Sequence, residues 1–180
     1  YTYSEESKEA DFVASDIRYV SQPDFVGTEF HISGKYDMEV RLGIPGLFNV
    51  VNALAAVSVC SFLGLDQARI SHALENIRVN GRMEIVYTSE RCTVLVDYAH
   101  NAVSMESLLS TLRDYKPKRL VCVFGCGGNR SKDRRYSMGE IGGKMADLSI
   151  ITADNSRYEK VEDIIADIRG SIEKTGGKFI

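Results

Sequence analysis

Three stretches of this sequence place chemistry-bearing side chains directly after short apolar runs. The first is Cys92-Thr93-Val94-Leu95-Val96-Asp97-Tyr98-Ala99-His100-Asn101. Residues 93–96 are apolar and β-branched, which predicts a strand buried on both faces; helical spacing resumes at Val103, Leu108, Leu109 and Leu112. In open α/β sheets, ligands collect where a strand's carboxyl end gives way to a helix. Asp97 stands at such an edge, where it could accept a hydrogen bond from a ribose hydroxyl or cap the next helix.

The second stretch runs from residues 120–124 into Gly125-Cys126-Gly127-Gly128-Asn129-Arg130-Ser131-Lys132-Asp133-Arg134-Arg135. Its glycines let backbone approach a partner closely, and cations follow at once. It is neither GxxxxGK[ST] nor GxGxxG, so it is weak as a phosphate motif. The third runs from residues 148–152 into Ala153-Asp154-Asn155-Ser156-Arg157. If these two strands are neighbours, Arg130 and Arg157 share a rim, and two guanidiniums there could clamp a carboxylate. Lys132, Arg134 and Arg135 read as a charge run that solvates the loop.

Behind these stretches the chain has to supply scaffolding. Residues 12–20, 25–33 and 36–42 read as strands, separated by Gln22-Pro23-Asp24 and Ser33-Gly34-Lys35. A helix over residues 47–63 carries apolar residues around most of its circumference, so burial on nearly every side is expected. Asn49 and Asn52 then become conspicuous, because a buried amide without partners costs about 1–3 kcal/mol. Each would bond backbone, another side chain or a ligand. A second helix spans residues 66–76.

From Val79-Asn80-Gly81-Arg82 onward, strands at 83–88, 93–96, 120–124 and 148–152 meet helices at 103–114, 135–145 and 161–174, the pattern of a parallel sheet. Two domains are expected, residues 1–79 and 80–180. The net charge of −3 argues against nucleic-acid or anionic-membrane binding. Residues 50–65 are too short and too broken by polar residues to span a bilayer. Cys60, Cys92, Cys122 and Cys126 show no zinc spacing and read as buried thiols in a reducing cytosol. Opening on Tyr1 without Met and stopping where a strand begins, the chain reads as a fragment.

With these residues assembled, the sequence resembles the Mur ligases, most narrowly those adding the third residue of the peptidoglycan stem peptide. The matching words are Gly46-Leu47-Phe48-Asn49-Val50-Val51-Asn52-Ala53-Leu54-Ala55-Ala56, Gly81-Arg82-Met83-Glu84, Asp97-Tyr98-Ala99-His100, Val123-Phe124-Gly125-Cys126-Gly127-Gly128-Asn129-Arg130 and Asp154-Asn155-Ser156-Arg157. The resemblance implies an α/β fold. The end of a central ATPase domain, antiparallel strands plus helices, would precede a Rossmann-like C-terminal domain with a mostly parallel sheet.

It also implies a cytoplasmic, ATP- and Mg2+-dependent ligase, monomeric when full length. Its substrates would be a UDP-N-acetylmuramoyl dipeptide and a free amino acid, joined through an acyl phosphate. By position, Asn52, Arg82, Asp97 and His100 resemble the ATP-binding residues. Arg130, Asp154, Asn155 and Arg157 resemble the amino-acid pocket, and the terminal arginine of the last word points to meso-diaminopimelate rather than lysine. Ser156 stands where the family usually has proline, which loosens that loop.

The phosphate cradle, magnesium carboxylates, carbamylated lysine and UDP-sugar domain are expected before Tyr1. Two or three hydrogen bonds to charged groups give roughly 3–9 kcal/mol, against an association cost of about 4–15 kcal/mol. The 180-residue piece alone is therefore expected to lack ligase activity and to bind ATP negligibly; saturable micromolar binding by calorimetry would overturn that. A folylpolyglutamate synthetase-like ligase and a non-catalytic nucleotide-binding module remain alternatives. A Walker loop upstream of Tyr1 in the gene would favour an enzyme over the module.

Overall fold

Alternating apolar residues at one end of the chain and strand–helix repeats at the other fold into two compact units, Tyr1–Tyr98 and Ala99–Ile180, in a computed structural model that describes residues 1–180.

In the first unit, strands β1 (Tyr3–Ser4), β2 (Phe12–Ser21), β3 (Val26–Gly34) and β4 (Met38–Leu42) form one sheet in that order. β1 runs parallel to β2, whereas β2–β3 and β3–β4 are antiparallel. Period-two alternation in β4 sends Met38, Val40 and Leu42 inward and leaves Glu39 in solvent. Helix α1 (Leu47–Phe62) lays Val50, Ala53, Leu54 and Val57 on the core built around Phe12, Phe30 and Ile32. Helix α2 (Gln67–Asn76) adds Ile70 and Leu74; the Asp66 side chain caps it by accepting from the Arg69 N–H at 2.9 Å.

Contrary to the expectation from its composition, α1 is buried on one face only. Val59 is 59% exposed and Phe62 76%. Periodicity shows which residues are apolar, but burial also requires a second element to pack on them, and this unit supplies only one covered side.

β5 (Glu84–Thr88) and β6 (Thr93–Val96) pair antiparallel across a short connection, with a bulge between Ile85 and Tyr87. Thr93–Val96 forms the expected strand, but it is not buried on both faces: Val94 and Val96 are each 47% exposed. Strands joined without a helix between them make a hairpin, and a two-stranded ribbon has no flanking helical layers.

The second unit holds α3 (Ala102–Asp114), β7 (Val121–Phe124), α4 (Asp133–Met145), β8 (Leu148–Ile151) and α5 (Val161–Thr175). β7 and β8 are parallel, Val121 opposite Leu148 and Phe124 opposite Ile151, and Phe179 bridges in parallel to Ser149. Met105, Leu109, Met138, Ile164, Ile168 and Ile172 fill the core. No helix is long and apolar enough to cross a membrane.

Candidate functional site

Strand pairing decides the geometry of the site. Because β7 and β8 are parallel and in register, both carboxyl ends reach the same edge, and residues 125–132 and 152–160 leave from it side by side. The Thr152 N–H still donates to the Phe124 carbonyl at 3.0 Å, after which the loops lock together. The Gly128 N–H donates to the Asn155 carbonyl at 2.8 Å. Arg157 Nη1 donates to the Gly128 carbonyl at 2.5 Å, and the Tyr158 N–H to Asn129 Oδ1 at 3.1 Å. A Cβ on Gly128 would lie 1.9 Å from the Ser156 carbonyl oxygen, so only glycine permits this approach. These cross-links hold the 152–160 loop against the 125–132 loop.

Asn129 and Arg157 both adopt left-handed backbone conformations, with φ of 52° and 50°. Asparagine tolerates this region well; arginine does so at a cost of about 1 kcal/mol or more. Strain of this kind persists where surrounding contacts over-determine a loop. Arg130, Asp154, Asn155 and Arg157 are all exposed on these two loops, which places both arginines on one rim, as neighbouring strands would require.

Arg135 departs from the expectation of a solvated charge run. Its side chain is only 1% exposed. Nη2 meets both Glu159 oxygens at 2.7 Å and Nη1 meets Asp167 Oδ2 at 2.9 Å. Glu159 also accepts the Asn129 N–H. The Arg135 hydrogen bonds, followed by the Asn129 N–H, hold the Glu159 carboxyl below its usual range. Burial alone would raise Asp167, but hydrogen bonds and charge from Arg135 and Lys132 outweigh it and lower the group. The signal for Arg135 lay in helical spacing: it shares the buried face of α4 with Met138, Gly139 and Gly142.

The remaining candidates lie around β6 and on α1. Asp97 does not cap α3. Asn101 does so, accepting from the Ser104 N–H at 3.0 Å while the Ser104 hydroxyl accepts from the Asn101 N–H at 3.4 Å. Asp97 Oδ2 instead accepts the Met83 N–H at 2.8 Å. The Arg82 guanidinium lies 4.4 Å from the Tyr98 ring centroid, so Arg82, Asp97 and Tyr98 gather at the end of β6. His100 is exposed just ahead of α3.

Asn52 is exposed rather than buried, because it falls on the uncovered side of α1. Its amide donates to Asn49 Oδ1 at 3.1 Å, and Asn49 donates to the Pro45 carbonyl at 2.7 Å. Asn49 thus follows the local-backbone reading. The four thiols are not uniformly buried either: Cys126 is buried, Cys60 and Cys122 half-buried, and Cys92 exposed. No group of three or more His, Cys, Asp or Glu side chains could hold a metal ion.

The sequence matches the family model described as Mur ligase, glutamate ligase domain, over residues 81–178. It is 40% identical over 175 residues to the UDP-N-acetylmuramoyl-L-alanyl-D-glutamate--2,6-diaminopimelate ligase of Alkaliphilus oremlandii, covering 96% of this chain and 35% of that protein. The ligase of the same name from Clostridioides difficile is 39% identical over 175 residues, covering 97% and 35%. The chain thus spans about a third of the length of the curated relatives it matches.

Among solved structures, a UDP-N-acetylmuramoyl-L-alanyl-D-glutamate--2,6-diaminopimelate ligase superposes with a TM-score of 0.72 at 30% identity, over 99% of this chain and 36% of that one. A folylpolyglutamate synthase from Thermotoga maritima gives 0.73 at 22% identity, over 98% and 39%, a likeness of fold alone.

Proposed function

Because the chain belongs to the Mur ligase family, we propose that it carries the amino-acid-binding part of a cytoplasmic, monomeric ATP-dependent ligase. The substrates in this reading are UDP-N-acetylmuramoyl-L-alanyl-D-glutamate and meso-diaminopimelate. In this reading the domain junction is at residues 79/80, supported by the family match beginning at residue 81, whereas the compact units divide at Tyr98/Ala99.

One observation carries the reading. Parallel pairing of β7 and β8, reinforced by the Arg157–Gly128 contact, sets two arginines on adjoining strand-end loops. Arg130 and Arg157 take the carboxylate of the incoming amino acid, each charge-assisted hydrogen bond contributing about 1.5–3 kcal/mol. Asp154 and Asn155, on the same loop as Arg157, accept from its ammonium group. With the clamp on the far-end carboxylate the arginines favour diaminopimelate, which carries an ammonium–carboxylate pair there, over lysine, which has only an ammonium.

When bound, ATP supplies the phosphoryl group that turns a carboxylate into an acyl donor. By the resemblance, Asn52, Arg82, Asp97 and His100 are the residues assigned to it. Asp97 offers a carboxylate oxygen to a ribose hydroxyl, and the Arg82–Tyr98 pair presents a flat cationic face. No group of three or more His, Cys, Asp or Glu side chains is placed to hold a magnesium ion on protein ligands alone.

The test is phosphate release by the complete protein with the UDP-dipeptide and ATP. Release that depends on diaminopimelate, with lysine at least tenfold poorer in kcat/KM, is the expected result. Release indifferent to any amino acid would overturn the reading.

A further inference from the structure

Arg135 is the largest fully buried side chain of the protein, although a charge on a core-facing helix position is expensive. An apolar residue of similar volume would fill that place without any need for partners. It could not hold two carboxylates. The guanidinium uses Nη1 on Asp167 of α5 and Nη2 on both oxygens of Glu159. Nε stays buried without a partner, so the side chain is oriented by the two carboxylates and not by full satisfaction of its own donors.

Glu159 passes that constraint on. It accepts the Asn129 N–H, and Asn129 Oδ1 in turn accepts the Tyr158 N–H. Asn129 precedes Arg130, and Tyr158 follows Arg157. The buried cation on α4 is therefore linked, through one carboxylate and one amide, to the backbone beside both rim arginines. Within these two strand-end loops, Asn129 and Arg157 are also the residues in left-handed conformations.

Resting on the function proposed above, we propose that Arg135 is a positioning residue for amino-acid binding, fixing Glu159 so that the two strand-end loops hold Arg130 and Arg157 for a carboxylate. Lysine cannot substitute, because a single ammonium cannot span Glu159 and Asp167 as a planar fork does. A misplacement of about 1 Å at such a site costs on the order of 100-fold.

Three variants of the complete protein separate positioning from general stabilisation. Glu159→Gln and Arg135→Lys are expected to raise KM for diaminopimelate about 10- to 100-fold, with KM for ATP changed less than about twofold. Asp167→Asn removes the charge on α5 but leaves Glu159 both of its contacts with Arg135 Nη2. It is expected to lower the thermal midpoint and leave the KM for diaminopimelate within about twofold.

If Arg135→Lys does not fold, Glu159→Gln alone decides. An unchanged KM for diaminopimelate in Glu159→Gln, or an equal rise in both KM values, overturns the proposal. Absence of amino-acid-dependent phosphate release by the unmutated protein refutes the functional reading first, and the positioning role with it.

Discussion

Gly128→Ala probes the contact between the two strand-end loops most sharply. The new methyl group would sit 1.9 Å from the Ser156 carbonyl oxygen, where ordinary contact begins at 3.4 Å. The obstacle is backbone, so the loops must part by about 1.5 Å. That separation breaks the Gly128–Asn155 backbone hydrogen bond, worth about 1 kcal/mol, and the charged Arg157–Gly128 bond, worth about 1.5–3 kcal/mol.

The stiffer unfolded chain returns about 0.4–1 kcal/mol. About 2–3 kcal/mol of destabilisation remains, a fall of roughly 4–12 °C in thermal midpoint for a chain of this size. In the complete protein, kcat/KM for the amino acid should fall about 100-fold while KM for ATP stays near its parent value. Thermal unfolding and coupled phosphate release read the two effects separately. A midpoint within about 1 °C of the parent, together with an unchanged KM for the amino acid, would refute the reasoning.

Other expectations follow from the same geometry. Glu159 and Asp167 have lowered folded pKa values, so the stability they contribute is present above the ordinary carboxylate range near about 4 and is lost as pH falls through the lowered values. Thermal midpoints measured from pH 6 downward should fall, and Arg135→Met should flatten that fall; an equally steep decline in the variant would contradict the pairing. Asp66→Ala removes the α2 cap and should cost about 1 kcal/mol, seen as a shift in urea midpoint without a change in slope. Burial pushes the Cys122 and Cys126 thiols each up to about 11, whereas Cys92 is exposed. A disulfide reagent at pH 8 should label Cys92 long before Cys122 or Cys126, and Cys92→Ser should remove that fast phase.

Most elements were legible in the sequence because local signals and tertiary pairing agree there. Alternation in Met38–Leu42 and the glycine-punctuated strand ends follow from residue types and spacing, whereas the shared rim of Arg130 and Arg157 hung on two strands being neighbours, which the pairing of β7 with β8 supplies. Expectations about burial fared worse. The apolar circumference of α1 and the β-branched run of β6 both suggested full enclosure, but enclosure depends on which elements pack on them, and sequence periodicity does not contain that.

Arg135 was hidden by its neighbours. Lys132, Arg134 and Arg135 look alike as a charge run, and only the buried spacing with Met138, Gly139 and Gly142 separates one from the others. Its partners Glu159 and Asp167 are 24 and 32 residues away, a pairing that exists only once α4 and α5 have packed. Tyr3–Ser4, the two-residue β1, carries no pattern long enough to read.

The most direct measurement is the KM for diaminopimelate of the complete protein in Arg130→Ala and Arg157→Ala, with KM for ATP as internal reference. If the two strand-end arginines share one carboxylate, each substitution raises the first constant at least tenfold and leaves the second within about twofold. Unchanged amino-acid affinity in both variants would contradict the claim that these two loops form the carboxylate clamp.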